Sequence, residues 1–134
     1  ELVKYKLHRI SAGKDMKKVA ILLSLSGPIL VDNLPENIKK DYSIYEITLD
    51  NHEPVPTFLK QKEALSTFGE MYHHAIKTIR KEHGDVGEIH MFPAVPAPIA
   101  VMCGRELFKK VDPTLHVYDF NKVNKEFSYI MNIN

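Results

Sequence analysis

Val19 to Leu23 is an unbroken apolar run, closed by Ser24, Leu25 and Ser26 and stopped by Gly27-Pro28. Continuous hydrophobicity without alternation marks a strand covered on both faces, as in a parallel sheet, so residues 18–26 are predicted as the strongest strand. Ahead of it, Val3, Tyr5 and Leu7 alternate with polar neighbours, the period of a half-buried edge strand. Ser11, Gly13, Lys14 and Asp15 form the polar turn between the two. Ile29 to Lys40 reads as a loop with one short helix, because Pro35 is tolerated in a first turn and not deeper. Ser43 to Leu49, rich in branched and aromatic residues, is a second strong strand. Asp50 to Pro56, with Asn51, Pro54 and Pro56, is a loop.

From Thr57 to His83 the period changes to that of a helix. Leu65, Phe68, Tyr72, Ala75, Ile76 and Ile79 recur at three- and four-residue steps and draw one apolar stripe. Thr67 followed by Glu70 resembles a capping box, which predicts a fresh helix start there after a bend. Gly84 ends the helix, and Arg80, Lys81 and His83 suit the negative end of its dipole. Glu88 to Phe92 is a third strand, and Pro93, Pro96 and Pro98 punctuate the connection that follows. Ile99 to Lys110 resumes a helical stripe through Met102, Cys103, Leu107 and Phe108. Leu115 to Tyr118 is a strand, Asn121 to Asn124 a turn, and Phe127 to Ile133 a last alternating strand.

Strands alternating with helices, at about ten or more residues per crossover, imply right-handed parallel units. The last two strands, joined by a short turn, pair antiparallel at one edge. The expected class is α/β: a Rossmann-like three-layer sandwich, its sheet mostly parallel with an antiparallel edge. Ligands in such sheets bind outside the carboxyl ends of the strands, at the point where strand order reverses.

Composition narrows the choices. The chain has 134 residues, 44% hydrophobic and 26% charged, the size and balance of one domain of a soluble globular protein. Eighteen Lys and Arg nearly cancel seventeen Asp and Glu, leaving a formal charge of +1. A duplex-DNA-binding domain carries a clear basic excess, so that class is disfavoured, whereas a small anionic ligand needs only local donors. One cysteine allows no intramolecular disulfide, and a reducing cytoplasm is the expected setting. No apolar run approaches the ~20 residues of a membrane span. The chain opens on Glu1, as a fragment or a processed product does.

Two strand ends concentrate the candidate chemistry. In Ser24-Leu25-Ser26-Gly27-Pro28, hydroxyls and free amides stand before a glycine that admits close backbone approach, a combination able to bind phosphate or ribose. The competing reading is that Ser26 only caps the next segment. In Phe92-Pro93-Ala94-Val95-Pro96-Ala97-Pro98, stiff prolines and small alanines lead into a helix whose free amides favour an anion. The competing reading there is tight packing of helix on sheet. Both ends belong to parallel strands and so share one sheet edge.

Other groups carry less. His73 and His74 are adjacent on a helix and diverge. No His or carboxylate stands at zinc-site spacing, and neither a metal nor a cofactor is expected. Cys103 sits on an apolar stripe, as an inert buried thiol does. Asp32, Asp50, Glu53 and Asp119 form no evident acid–base pair, and Lys60 and Lys62 read as solvated. Gly84-Asp85-Val86-Gly87 lacks the setting of a dinucleotide fingerprint.

Taken in order, these segments resemble the SAVED domain of bacterial antiviral sensors. Val19 to Gly27 is similar to that family's hydrophobic strand ending in a hydroxyl residue and glycine, and Tyr45-Glu46-Ile47-Thr48 to its second strand. His90-Met91-Phe92-Pro93-Ala94-Val95-Pro96, followed by Ala100-Val101 and Gly104-Arg105, is the most specific element. Val117-Tyr118-Asp119 with Tyr129 resembles the last strands. The likeness covers almost all of the chain after residue 17.

It implies a sensor with no catalytic residues, built from two CARF-like Rossmann units and related to the sensors of type III CRISPR systems. Such domains bind cyclic di-, tri- or tetranucleotides, cyclic oligoadenylate among them. Binding promotes oligomerisation that activates a fused or associated effector in CBASS or CRISPR defence. Carried onto this chain, the ligand-binding positions are Ser24, Leu25, Ser26, Gly27, Pro93, Ala94, Val95 and Pro96. Ser26 stands where the family often has threonine. Residues 1–134 match one CARF-like unit in length, the C-terminal half, so a second CARF-like half, on the same parent chain or on another chain, must complete the pocket. Two other readings stay open: a scaffold half-domain that holds an effector without ligand, and a Rossmann-like nucleotide-processing enzyme.

Overall fold

A computed structural model describes residues 4–25, 27–50, 62–95, 114–121 and 126–133. Their strands are β1 (Tyr5–Ser11), β2 (Val19–Ser24), β3 (Ser43–Leu49), β4 (Glu88–Ala94), β5 (Thr114–Asn121) and β6 (Glu126–Ile133). The helices are α1 (Glu36–Asp41), preceded by a 3₁₀ turn at Val31–Asn33, and α2 (Lys62–His83). They form one six-stranded mixed sheet in the order β1-β3-β2-β4-β5-β6. The four inner strands are parallel, and β1 and β6 run antiparallel at the two edges.

The apolar run of β2 takes a central place because every one of its residues is buried. Val19, Ile21, Leu23 and Leu25 point to the face covered by α2, where Phe68, Tyr72, Ala75, Ile76 and Ile79 meet them. Ala20 and Leu22 point to the opposite face, against Ile38 of α1, Ile29, Leu34, Ile44, Phe92 and Phe127. The strand thus fills two cores at once, which an alternating sequence cannot do. Gly13 passes so near the end of α1 that a Cβ there would collide with the backbone of Asp41 and Tyr42.

Two elements differ from the expected pattern. Helix α2 runs through Thr67 without a break, because its apolar stripe stays on one face through Phe68 and Tyr72 and Thr67 lies inside an existing turn. The third strand extends past Phe92 to Ala94, through a proline. Ala94 turns its carbonyl to Leu25 beside β2, so the preceding Pro93 nitrogen faces the β5 side. There the β4–β5 register ends at Met91 and Val117, and a missing N–H removes no ladder bond. The expected helix over residues 99–110, the expected loop at 51–56 and the helical pattern expected from Thr57 to Gln61 lie outside the described residues.

The end of α2 is fixed by polar contacts. Gly84 adopts φ +72, and its N–H donates to the Arg80 carbonyl at 2.9 Å, the glycine stop read from the sequence. Lys17 donates to the His83 and Asp85 carbonyls, a cation at the negative end of the dipole. The Tyr45 hydroxyl lies 2.9 Å from a Glu82 oxygen and 2.7 Å from His83 Nε2. Burial, then the Glu82 hydrogen bond, push its pKa up to about 12. Tyr45→Phe is expected to lower stability by about 1–3 kcal/mol by leaving buried His83 short of a partner, measured as a shift in the urea midpoint.

Candidate functional site

Strand order reverses between β2 and β4: the chain leaves β2 for β3 on one side and then crosses to β4 on the other. In an open α/β sheet this is where a crevice forms beyond the carboxyl ends. Ser24 and Ala94 are register partners at those ends, and the Leu25 N–H donates to the Ala94 carbonyl at 3.3 Å. The two segments singled out in the sequence are therefore joined to each other by backbone.

The residues there divide by role. Ser24 is buried, and its hydroxyl donates to Glu46 at 2.5 Å, while its carbonyl accepts from Thr48. Glu46 also pairs with His8 at 3.1 Å. Ser24 thus ties β2 to β3 at the rim, and its hydroxyl is engaged within the protein. Leu25 is fully buried in the core under α2, and half-buried Val95 packs against the same cluster. Half-buried Ala94 packs on the α1 side, and Pro93 is half-buried. A Cβ on Gly27 would find open space within 4 Å. Ser26 and Pro96 lie outside the described residues, as do Glu53, Lys60 and Cys103. At the same sheet edge, a groove of about 400 Å³ is lined by Lys4, Tyr5, Asp50, Thr67, Glu70, Met71 and His74.

His73 and His74 are exposed on α2, and Asp32, Asp50 and Asp119 are exposed and dispersed. A different polar cluster, not evident from sequence spacing, lies on the α1 face. Glu88 and His90 alternate on β4, and His116 of β5 is His90's register partner. The two imidazoles stack with centroids 4.7 Å apart. One Glu88 oxygen accepts from His90 Nε2 at 3.1 Å and the other from His116 Nε2 at 2.9 Å. Tyr118 and Tyr129 hydroxyls then donate to the Nδ1 atoms, at 2.7 and 3.2 Å, and the Tyr42 hydroxyl lies 3.2 Å from His90 Nε2. Burial holds the His90 pKa below the usual histidine value. The His90 hydrogen bond, helped by that of His116, holds Glu88 below the usual carboxylate value. Burial pushes Tyr118 up to about 12.

An α/β sheet whose strand order reverses between β2 and β4 has the plan on which small-molecule binding modules are built. A family model, that of the SMODS-associated and fused to various effectors sensor domain, SAVED, matches residues 1–133. The chain belongs to this sensor-domain family. Among solved structures it is similar to the Acinetobacter baumannii Cap4 SAVED/CARF-domain containing receptor with the cyclic trinucleotide 2'3'3'-cAAA. That match has 12% identity and a TM-score of 0.76 over 100% of this chain and 28% of the receptor. The receptor with 3'3'3'-cAAA matches at 13% identity and TM-score 0.68, covering 94% of this chain and 27% of that one. A further structure of the Cap4 SAVED/CARF-domain containing receptor matches at 14% identity and TM-score 0.67, covering 94% of this chain and 26% of that one. At such identities the likeness shows a shared fold, and the chain spans only about a quarter of the receptor's length. None of the curated protein sequences compared with the chain matches it. No described helix is long and apolar enough to cross a membrane.

Proposed function

We propose that this chain is the C-terminal, CARF-like half of a SAVED sensor, a Rossmann-like unit that holds part of a cyclic oligonucleotide beyond β2 and β4. The observation that carries the reading is the backbone bond from Leu25 to Ala94, which joins the ends of β2 and β4 at the switch point. A cyclic oligonucleotide offers one negative charge per phosphodiester and several flat bases. Gly27 leaves room for the ring's backbone to approach, and Pro93, Ala94 and Val95 offer small or apolar surface for a base. Ser26 is assigned the hydroxyl contact to phosphate or sugar, since the Ser24 hydroxyl already serves Glu46. A second CARF-like half, on the same parent chain or on another, closes the other side of the ring in this reading. The cyclic trinucleotides named with the Cap4 receptor support this ligand class.

A bound ring drives a switch only by favouring one assembly over another. In this reading it completes a surface that a second protomer recognises, and the resulting oligomer activates the effector. Calorimetric titration of the full-length protein with cyclic di-, tri- and tetra-adenylates and mixed-base rings tests the proposal, with sizing of the protein before and after. Saturable binding to one ring and a change of oligomer size are expected. Silence across the whole panel would return the domain to a scaffold role.

A further inference from the structure

We propose that Glu88, His90 and His116 form a binding site for a divalent first-row metal ion of the Zn²⁺ class. These are the three groups whose donor atoms, among the described residues, all lie within 4.8 Å of one another. The set is two imidazole nitrogens and one carboxylate, a combination suited to Zn²⁺. Both Nε2 atoms already converge on the Glu88 carboxylate, at 3.1 and 2.9 Å. Zinc–ligand bonds of ~2.0–2.2 Å set donor atoms roughly 3.3 Å apart in a tetrahedron, so small side-chain shifts admit the ion, and water takes the fourth position.

The surroundings are those that orient metal-bound histidines. Each imidazole has its Nδ1 held by a tyrosine hydroxyl, Tyr118 for His90 and Tyr129 for His116. Such partners fix ring orientation and select which nitrogen faces the metal. A tyrosine hydroxyl can accept as well as donate. Metal binding therefore moves each ring's proton from Nε2 to Nδ1, and the Tyr contacts remain. The Glu88 side chain is 51% exposed, which leaves an entry path from solvent. Lys18, 5.8 Å over the Tyr42 ring, is a competing positive charge that the Glu88 carboxylate offsets. The site sits toward the amino ends of β4 and β5, away from the switch point, and pins the two strands together. It stands independently of the cyclic-oligonucleotide reading.

The test is direct titration of the full-length protein, stripped by chelator, with ZnCl₂ against a chromophoric chelator, and with CoCl₂ by visible absorption. His116→Gln and Glu88→Gln are each expected to remove one equivalent of Zn²⁺, or to weaken it at least tenfold. Tyr129→Phe should weaken it less, and His73→Gln/His74→Gln should leave it unchanged. Both main variants alter partly exposed side chains, so circular dichroism should show a retained fold. Equal stoichiometry and affinity in wild type, His116→Gln and Glu88→Gln would overturn the proposal, as would no saturable Zn²⁺ at micromolar concentration.

Discussion

Replacing Phe92 by alanine is expected to destabilise the protein by about 3–5 kcal/mol, the range for removing a buried aromatic side chain. Phe92 is fully buried. It stacks on Tyr118 with centroids 4.3 Å apart and meets Phe127 edge-on at 5.2 Å. It is the point where the central strand β4 reaches across β5 to β6. The loss combines the transfer of the ring's apolar surface with a cavity that three strands in a fixed ladder cannot collapse. The two ring contacts add about 0.5–1.5 kcal/mol each beyond area. The check is the urea midpoint at unchanged slope, with Phe92→Leu as a milder comparison. A shift for Phe92→Ala no larger than that of an exposed substitution would mean the β4–β6 side is not packed as described.

The second large effect concerns binding. Gly27→Glu is expected to weaken cyclic-oligonucleotide binding at least 100-fold while leaving stability almost unchanged. A Cβ at Gly27 meets nothing within 4 Å, and the glycine's φ is not in the left-handed region, so the fold accepts a side chain there. A carboxylate in that space competes for the ring's volume and repels its phosphates. A 100-fold loss corresponds to roughly 2.7 kcal/mol. Gly27→Ala should have a small effect. Isothermal titration of each variant of the full-length protein gives the comparison. Unchanged affinity in Gly27→Glu, with the fold intact, would remove the ring from this edge.

Much of the fold was legible because hydrophobic period reports which faces of an element are covered. The uninterrupted Val19–Leu23 run announced a doubly covered strand, and β2 lies between β3 and β4 with every residue buried. The short link before Phe127 announced the antiparallel β5–β6 pair, and alternation at Tyr5 and Leu7 announced the edge strand β1. Less legible were features that depend on which strand lies beside which. The extension of β4 through Pro93 is allowed only because β5 pairing has ended by then, a fact absent from local sequence. The Thr67–Glu70 pair has the composition of a cap, yet packing of Phe68 and Tyr72 continues the helix through it.

The candidate site followed the same division. That the ends of the first and third parallel strands share one edge came from the pattern of crossovers, and the Leu25–Ala94 bond joins the ends of β2 and β4. The engagement of Ser24 by Glu46 did not, because it depends on two strands' side chains meeting on one face. The Glu88–His90–His116 cluster is hidden in the sequence for a related reason. His90 and His116 become register partners only when β4 and β5 pair. The available signal was the Glu88-x-His90 alternation, which puts two ligand types on one strand face.

A cyclic oligonucleotide held beyond the carboxyl ends of β2 and β4 is expected to slow backbone hydrogen exchange at those strand ends. Hydrogen–deuterium exchange of the full-length protein, with and without the ring that binds it, measures this most directly. Protection is expected in peptides spanning Leu23–Gly27 and Phe92–Val95, with little change at the amino ends of β4 and β5. Protection elsewhere in the chain, with those two segments exchanging as before, would contradict the account.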